Sequence, residues 1–247
     1  MDHQILFYGL LFLVAFLYAS VGHGGASGYL ALMAIFSISP DVMKPTALML
    51  NLFVSLTSFY QFYRGKHFQW KIFLPLALAS VPMAFLGGLV SVDASIYKKL
   101  LGLLLLLPII RFLFFRNITA EELKKPDWGL SLLIGAAIGF LSGLIGIGGG
   151  IIHVPVLIYL LGFPVHIATA TSHFVLAIST FSGSITHLTL GNILYIPALV
   201  VGLCAVAGAQ IGARLSRRVK GLMIARLLAI ALILVGVRLL LKALGVM

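Results

Sequence analysis

The chain has 247 residues, of which 61% are apolar and 9% are charged. A soluble domain carries about 25% charged residues to cover its surface, so this composition excludes an ordinary soluble protein and predicts an all-α polytopic protein in the lipid bilayer. The net charge of +11 does not indicate a nucleic-acid partner, because the basic residues lie in short loops between apolar runs, as in the cytoplasmic loops of membrane proteins.

Ten apolar runs follow one another along the chain. The third to fifth and the eighth to tenth runs are long enough to supply the roughly 20 helical residues that cross a bilayer. Runs 25–38 and 150–161 reach only about 21 and 18 Å at about 1.5 Å per residue, which predicts half-helices or re-entrant segments. The ten runs are 4–21, 25–38, 43–63, 72–90, 96–116, 128–145, 150–161, 166–188, 193–213 and 221–244.

The charged residues around these runs bear on the cargo. The first run lacks a basic region before it, so we interpret it as a retained membrane helix rather than a cleaved signal. Pathways for protons and cations usually place Asp or Glu within the membrane. Here every acidic residue lies in a predicted loop or terminus, which favours an anionic or neutral cargo. The acidic residues are Asp2, Asp41, Asp93, Glu121, Glu122 and Asp127.

Basic loops predict the orientation of the chain. Lys and Arg concentrate in loops 64–71, 117–127 and 214–220. Placing these loops in the cytoplasm puts both termini outside a multi-pass protein of the cell inner (cytoplasmic) membrane. The basic residues that oppose this orientation are fewer. They are Lys44, Lys98, Lys99, Arg238 and Lys242.

The chain resembles itself at a spacing of about 124 residues. Each half contains three clear spans and one glycine-interrupted pair, which either crosses twice or enters and leaves on one side. The number of crossings is odd in both cases, so the second half is inserted upside down. This predicts two inverted-topology repeats, 1–117 and 128–247, joined by a cytoplasmic linker, 118–127. The matches are Gly22, Gly24 and Gly25 with Gly146, Gly148 and Gly149, Pro40 with Pro164, and Thr46 with Thr171.

Two glycine clusters, 20–28 and 143–150, interrupt the apolar runs. Glycine weakens a helix by about 1 kcal/mol per residue, so the clusters predict helix breaks within the membrane. The half-helix after a break presents free backbone N–H groups and a positive dipole end to an anion. Close helix packing is the alternative, and it fits Gly135 and Gly139 well. The binding candidates here are His23, Gly24, Gly25, Ala26, Ser27, Gly148, Gly149, Gly150 and His153.

Polar side chains follow the third run and its counterpart in the second half. They can donate hydrogen bonds to an oxyanion without adding negative charge, although Ser and Thr in membrane helices often bond their own backbone or a neighbouring helix. Asn51 and Ser55 share one helical face. His187 continues the face of His173 and Thr180, and we expect it at the outer boundary, in contact with water. The binding candidates on these two runs are Thr46, Asn51, Ser55, Thr171, Ser172, His173 and Thr180.

The sequence contains no catalytic motif. No nucleophile stands beside a base, no nucleotide-binding motif occurs, and no His or Cys pair has metal-ligand spacing. We therefore expect neither an enzyme nor a metal or other cofactor. The expected partners are a small anion and the lipid bilayer, and the sequence leaves a homodimer open.

Two paired segments, GHGGASG at 22–28 and GLIGIGGGIIHVP at 143–155, resemble the TauE/SafE sulfite-exporter family of bacterial and archaeal permeases. The helix starts KPTALMLN and ATATSHF fit as well, and the resemblance covers nearly the whole chain. It implies a secondary transporter of sulfite, organosulfonates or related small sulfur oxyanions, working outward across the cytoplasmic membrane. A channel or importer for another small anion is the alternative, and a non-transporting scaffold or intramembrane enzyme is the third class.

Overall fold

The computed structural model describes residues 2–20, 25–106, 127–148 and 150–189, together with the single positions 206, 207, 237 and 241. Within the four continuous ranges the chain is helical and contains no strand, which confirms the all-α class for this part of the protein. The helices are α1 (Asp2–Ser20), α2 (Ala26–Ile35), α3 (Pro40–Arg64), α4 (Trp70–Leu89), α5 (Ala94–Leu105), α6 (Trp128–Ile145), α7 (Gly150–Tyr159) and α8 (Val165–Thr189).

Three of these helices, α3, α4 and α6, are long and apolar enough to cross a membrane. α8 is as long as α3, with 25 residues, and carries a row of Ser, Thr and His. The predicted run 96–116 is described only as far as residue 106, where α5 has ended. Apart from the single positions above, the predicted runs 193–213 and 221–244 lie outside the described residues, as does nearly all of the predicted linker 118–127.

The helix lengths repeat between the two halves. α1, α2 and α3 have 19, 10 and 25 residues, and α6, α7 and α8 have 18, 10 and 25. In each half the glycine cluster falls between the first and second of the three helices. The prediction that runs 25–38 and 150–161 form short half-helices is confirmed by α2 and α7.

The first glycine cluster separates two helices that fold back on each other. The ring of Phe7, early in α1, packs edge-on against the ring of Phe36, just after α2, with centroids 5.1 Å apart. α1 and α2 therefore run antiparallel, and the chain enters and leaves this hairpin at the same end. Only residues 36–39 separate α2 from α3, and the two helices are in contact, so they too are antiparallel.

α4 and α6 pack closely along small residues. A Cβ atom added to Gly135 would lie 2.5 Å from the carbonyl oxygen of Leu76, and one added to Gly139 would lie 2.6 Å from the Cα of Ser80. The contacts advance together along both helices, so α4 and α6 are parallel. The prediction that Gly135 and Gly139 serve close packing is confirmed.

α4 is also parallel to α8. The hydroxyl groups of Ser80 and Ser179 are 2.8 Å apart, and further along both helices the Thr186 hydroxyl donates to the Phe85 carbonyl at 3.3 Å. Since α6 and α8 are both parallel to α4, the chain has to reverse between them. α7 makes that reversal, so α6 and α7 form a second hairpin. Each glycine-interrupted pair therefore begins and ends on the same side, which agrees with both arrangements that the sequence left open, a pair that crosses twice and a pair that re-enters.

The two long equivalent helices, α3 and α8, are antiparallel. A Cβ atom added to Gly183 of α8 would lie 3.4 Å from the side chain of Leu48. Further along α3, the Phe59 ring stacks on the ring of Phe174 at 4.2 Å, earlier in α8. The two hairpins therefore join this central pair from opposite ends, since each leads into the start of its own long helix.

Candidate functional site

The break between α6 and α7 is wedged between the two central helices. Gly148 has a φ angle of +67°, a conformation that favours glycine. A Cβ atom at this position would collide with the side-chain nitrogen of Asn51 on α3 and lie 3.2 Å from the Cγ2 methyl of Thr180 on α8. The second glycine cluster thus brings backbone directly against both long helices, and a side chain would fill that space.

This contact lies near mid-depth in the central pair. At about 1.5 Å per residue, Asn51 is about 17 Å from the start of α3 and about 20 Å from its end. The ten residues of α2 run back along α3 for about 15 Å, so α2 begins at a similar depth. Gly25 and Gly148 are therefore both placed near the middle of α3.

Asn51 is the best-placed candidate in the structure. It is 1% exposed, and neither its side-chain oxygen nor its nitrogen has a hydrogen-bond partner. Ser55, one turn further along the same face, is fully buried, and its hydroxyl also has no partner. Leaving a buried polar group unpaired costs about 1–3 kcal/mol, so these groups are positioned for something that is not part of the described chain.

Other candidates on the long helices are buried but point elsewhere. The hydroxyls of Thr46, Thr171 and Ser172 are each buried without a partner. Thr46 is five residues from Asn51, which places it on nearly the opposite side of α3. Thr171 and Ser172 likewise leave the face of α8 that carries Thr180. The structure does not gather these three with Asn51, and their role in binding stays a prediction.

His173 lies on the face of α8 that carries Thr180, two turns towards the start of the helix. It is 1% exposed, and its Nδ1 is 2.7 Å from the Thr169 carbonyl oxygen. Its Nε2 has no partner. The ring stacks loosely on Phe62 of α3, with centroids 5.8 Å apart, which places the imidazole between the two central helices.

Thr180 is arranged differently from the prediction. Its hydroxyl donates to the carbonyls of Leu176 and Ala177, at 2.7 and 3.1 Å, and its methyl group lies towards Gly148. Because its proton is bound by its own helix, Thr180 is a poor hydrogen-bond donor to a cargo. The Ser184 hydroxyl is similarly bound to the Thr180 carbonyl at 2.7 Å.

His187, expected at a wet boundary, is 3% exposed, so that expectation was wrong. Its side chain is hydrogen-bonded to the backbone of Gly143 and is close enough to Lys44 for their charges to interact. Because α4, α6 and α3 surround this end of α8, a residue near the end of the helix is covered by protein rather than by water.

Lys44 is a residue that the sequence reasoning missed. It is 6% exposed, and a Cβ atom on Gly146 would lie 3.0 Å from its Cα. Its ammonium is 5.0 Å from the centroid of the Tyr97 ring, and the Tyr97 hydroxyl donates to the Ile145 carbonyl at 2.9 Å. A signal was present: Lys44 is two turns before Asn51, on the same face of α3, but it was counted as a loop charge.

We define the polar seam as one row of side chains from each central helix, facing each other along their contact. Lys44 and His187 mark one end, Asn51 and Thr180 the middle, and His173 the other end. The polar seam comprises Lys44, Asn51 and Ser55 of α3 and His173, Thr180 and His187 of α8.

A cavity of about 250 Å³ opens near the Lys44 end of the seam, between the α2–α3 turn and α5. Tyr97, whose ring lies against the Lys44 ammonium, forms part of the cavity wall. Ser37, Ser39 and Lys98 also line the cavity. Most of the cavity lining is apolar and Lys44 is not part of it, so the Tyr97 ring is what links the cavity to Lys44.

The first glycine cluster is described only in part. Gly25 precedes α2 without a side-chain cap, and Ala26 and Ser27 are buried at the helix start. His23 and Gly24 lie outside the described residues, as does Gly149. These assignments stay predictions.

In the second half, Gly150 begins α7, and His153 is 1% exposed within that helix. As binding residues, both stay predictions.

Helices that cross the bilayer, two glycine-broken hairpins and a buried polar seam define a polytopic membrane protein of the transporter class. The chain belongs to the sulfite exporter TauE/SafE family, whose family model matches residues 7–239. The family resemblance read from the glycine-rich segments is thereby confirmed.

Curated relatives agree with this assignment. The chain is 39% identical over 152 residues to the probable membrane transporter protein y4hK of Sinorhizobium fredii, covering 60% of this chain and 62% of that protein, less than two thirds of its length. It is 29% identical over 226 residues to YunE of Bacillus subtilis, covering 82% and 81%. It is 28% identical over 237 residues to MJ0441 of Methanocaldococcus jannaschii, covering 87% and 88%. No solved structure matches the chain.

Proposed function

We propose that this chain is a secondary transporter that exports sulfite, organosulfonates or related small sulfur oxyanions across the cytoplasmic membrane. The observation that carries the proposal is the middle of the polar seam. There Asn51 and Ser55 are buried without hydrogen-bond partners, beside the backbone of Gly148. An amide and a hydroxyl can donate to an oxyanion, and a bare backbone lets that anion approach closely.

The charges around the seam support an anion rather than a cation. Lys44 is buried at one end of the seam, and Asp41, in the first turn of α3, is the one carboxylate within α3, α4, α6, α7 and α8. A cation site in a membrane would need carboxylates or clustered carbonyls. The start of α2 adds backbone N–H groups without a side-chain cap at a similar depth.

We also infer that the two halves, 1–117 and 128–247, are inverted repeats that alternate in opening the seam to either side. The repeated helix lengths support this inference, and so does the antiparallel arrangement of α3 and α8, which inversion requires of equivalent helices. Transporters with inverted repeats hold their cargo near the midplane, beside broken helices. Asn51 and Gly148 fit that position.

Export follows from the electrical driving force if the anion crosses alone. The membrane potential, negative inside, favours exit by about 2.3 kcal/mol per charge per 100 mV. The proposed orientation places the basic loop 64–71 on the cytoplasmic side. An importer or channel for another small anion is the alternative, and saturation of flux with counterflow separates a carrier from a channel.

The test is flux of labelled sulfite, sulfate and methanesulfonate in proteoliposomes that contain the full chain. We expect saturable flux with counterflow. Asn51→Leu, which keeps the size but removes both polar atoms, should lower this flux at least tenfold. Thr57→Ala is the matched control on α3, because Thr57 bonds only its own helix, through the Phe53 carbonyl at 2.8 Å. An absence of flux for all three anions, or equal flux in Asn51→Leu, would refute the proposal.

A further inference from the structure

The tautomer of His173 is set by its own helix. Nδ1 is 2.7 Å from the Thr169 carbonyl oxygen, and a carbonyl can only accept a hydrogen bond. Nδ1 therefore carries a proton. In the neutral ring, Nε2 then has a lone pair and no hydrogen, and this nitrogen is buried without a partner in the described structure.

A bare Nε2 cannot hold an ionised oxyanion. Two lone pairs facing each other repel, whereas one proton between them makes a charge-assisted hydrogen bond. The proton can sit on the ring, which becomes an imidazolium, or on an oxygen of the cargo, which becomes an acid anion. In both forms, one proton is shared by Nε2 and the oxyanion.

Among the residues that the structure describes, the surroundings supply no other negative group for that proton. On α3, Phe62 lies against this turn of α8, and the exposed residues Tyr63 and Arg64 follow it at the end of the helix. α4 brings exposed Lys71, the described part of α7 brings buried His153, and α6 has no ionisable side chain. No carboxylate lies on these segments. The bound anion is therefore the group that would stabilise a protonated His173.

We propose, building on the proposed function, that His173 couples transport to one proton: each oxyanion passes along the seam from Asn51 to His173, two turns away, and crosses together with the proton that it shares there with Nε2. The proton enters from the water on the side of loading, occupies the Nε2–oxyanion hydrogen bond, and leaves with the anion on the other side. For a monoanion this unit is electrically neutral. A pH gradient then drives the flux and the membrane potential does not, so a coupled monoanion leaves the cell down the combined concentration gradients of anion and proton, without the electrical driving force of an anion that crosses alone.

The experiment uses the full chain in proteoliposomes with a pH-sensitive dye inside, and empty liposomes as the background. Methanesulfonate is permanently ionised, so any proton that moves with it is carried by the protein. Sulfite can bring its own proton as hydrogen sulfite. For methanesulfonate we expect about one proton per anion, and flux that responds to an imposed pH gradient but not to a potassium diffusion potential. A sulfite dianion that moves with one proton keeps one negative charge, so its flux should respond to both. If protons accompany sulfite but not methanesulfonate, the cargo carries the proton. If protons accompany methanesulfonate as well, the His173 ring carries it.

His173→Gln keeps an amide donor but cannot exchange a proton. Because His173 contacts the anion in the proposal, the rate should fall, and the flux that is left should lack the accompanying proton and, for a monoanion, depend on voltage. His67→Gln, in the loop between α3 and α4, removes a histidine outside the seam and should keep the ratio of the native protein. If wild-type flux carried no protons and depended fully on voltage, the proposed coupling would be wrong, while the proposed function as a transporter would stand. Absence of any oxyanion flux would instead refute the proposed function itself. If His173→Gln fails to fold, the number of protons that accompany each anion in the wild-type protein still tests the coupling.

Discussion

The α4–α6 contact and the polar seam both use glycine, but for different purposes. Between α4 and α6, Gly135 and Gly139 let two backbones touch, and a Cβ atom at either position would meet the opposing helix. In the seam, Gly148 lets backbone approach the side chain of Asn51. The first contact sets backbone against backbone, whereas the second sets backbone against an amide side chain whose polar atoms have no partner.

Hydroxyl groups separate the two regions in the same way. Where α4 meets α8, Ser80 bonds Ser179, and the Ser182 hydroxyl donates to the Val81 carbonyl at 2.9 Å. In the seam, the Ser55 hydroxyl and the Asn51 amide have no partner. Satisfied polar groups fix how helices dock, and unsatisfied ones at mid-depth indicate a binding site. The comparison teaches that residue type alone does not distinguish a packing surface from a site. Missing partners alone do not either, since the Ser131 and Ser142 hydroxyls of α6 are also buried without one; the proposed site combines unpartnered atoms with the close approach of the Gly148 backbone.

The largest expected effect is the loss of the folded protein in Gly139→Leu. A Cβ atom there would collide with the Ser80 carbonyl, which is backbone and cannot move aside. Overpacking of this kind costs about 3 kcal/mol or more, so we expect little monodisperse protein in detergent, measured by size-exclusion chromatography. Gly129→Leu is the control, since a Cβ at that exposed residue would be 3.5 Å from Asp127. Normal yield and transport in Gly139→Leu would show that α4 and α6 do not pack as described.

Gly148→Ala should show that the glycine of the polar seam serves binding, unlike the glycines of the α4–α6 contact. The added methyl group would displace the Asn51 side chain, and the positive φ adds strain of about 1 kcal/mol. We expect a folded protein whose oxyanion flux is at least tenfold lower, because the space between backbone and amide is filled. Thermal unfolding and flux are measured on the same preparation. If flux falls only in proportion to the folded fraction, Gly148 serves packing alone.

Lys44→Gln should have a smaller effect, confined to affinity. Removing the buried charge near the cavity that leads to Tyr97 should raise the KM for the anion about tenfold, which corresponds to about 1.4 kcal/mol, with little change in maximal rate. Lys99→Gln, which removes an exposed charge from α5, is the matched control. A KM unchanged in Lys44→Gln would exclude Lys44 from the path of the anion.

The sequence predicted the short half-helices and the use of Gly135 and Gly139 in packing, because run length and small-residue spacing are local properties. It placed Asn51 and Ser55 on one face, since helical periodicity needs no tertiary information. It could not show which helices are parallel and which antiparallel, because that depends on contacts between distant parts of the chain. The antiparallel contact of Leu48 with Gly183 lies between residues far apart in the chain.

The errors around the seam have the same origin. Lys44 was counted with the loop charges, since its burial depends on α5 and α6, which lie far along the chain. His187 was expected in water because it is near the end of its run, yet neighbouring helices cover it. Thr180 has the residue type of a ligand, but its proton bonds Leu176, a choice that only rotamer geometry reveals.

The smallest expected effect belongs to Ser80→Ala, in the satisfied region. This variant removes one buried hydrogen bond, to Ser179, at the α4–α8 contact. Interhelical hydrogen bonds of this type contribute about 0.6 kcal/mol on average in membranes, so the melting temperature in detergent should fall by a few degrees or less, while KM and maximal rate stay unchanged. Ser55→Ala is an equally conservative change with the opposite expected outcome. Its stability should be kept or slightly raised, since an unpaired buried hydroxyl is removed, whereas anion binding should be weaker. If both variants altered stability alone, the seam and the packing surface would be the same kind of contact, and the site would have to lie elsewhere in the membrane.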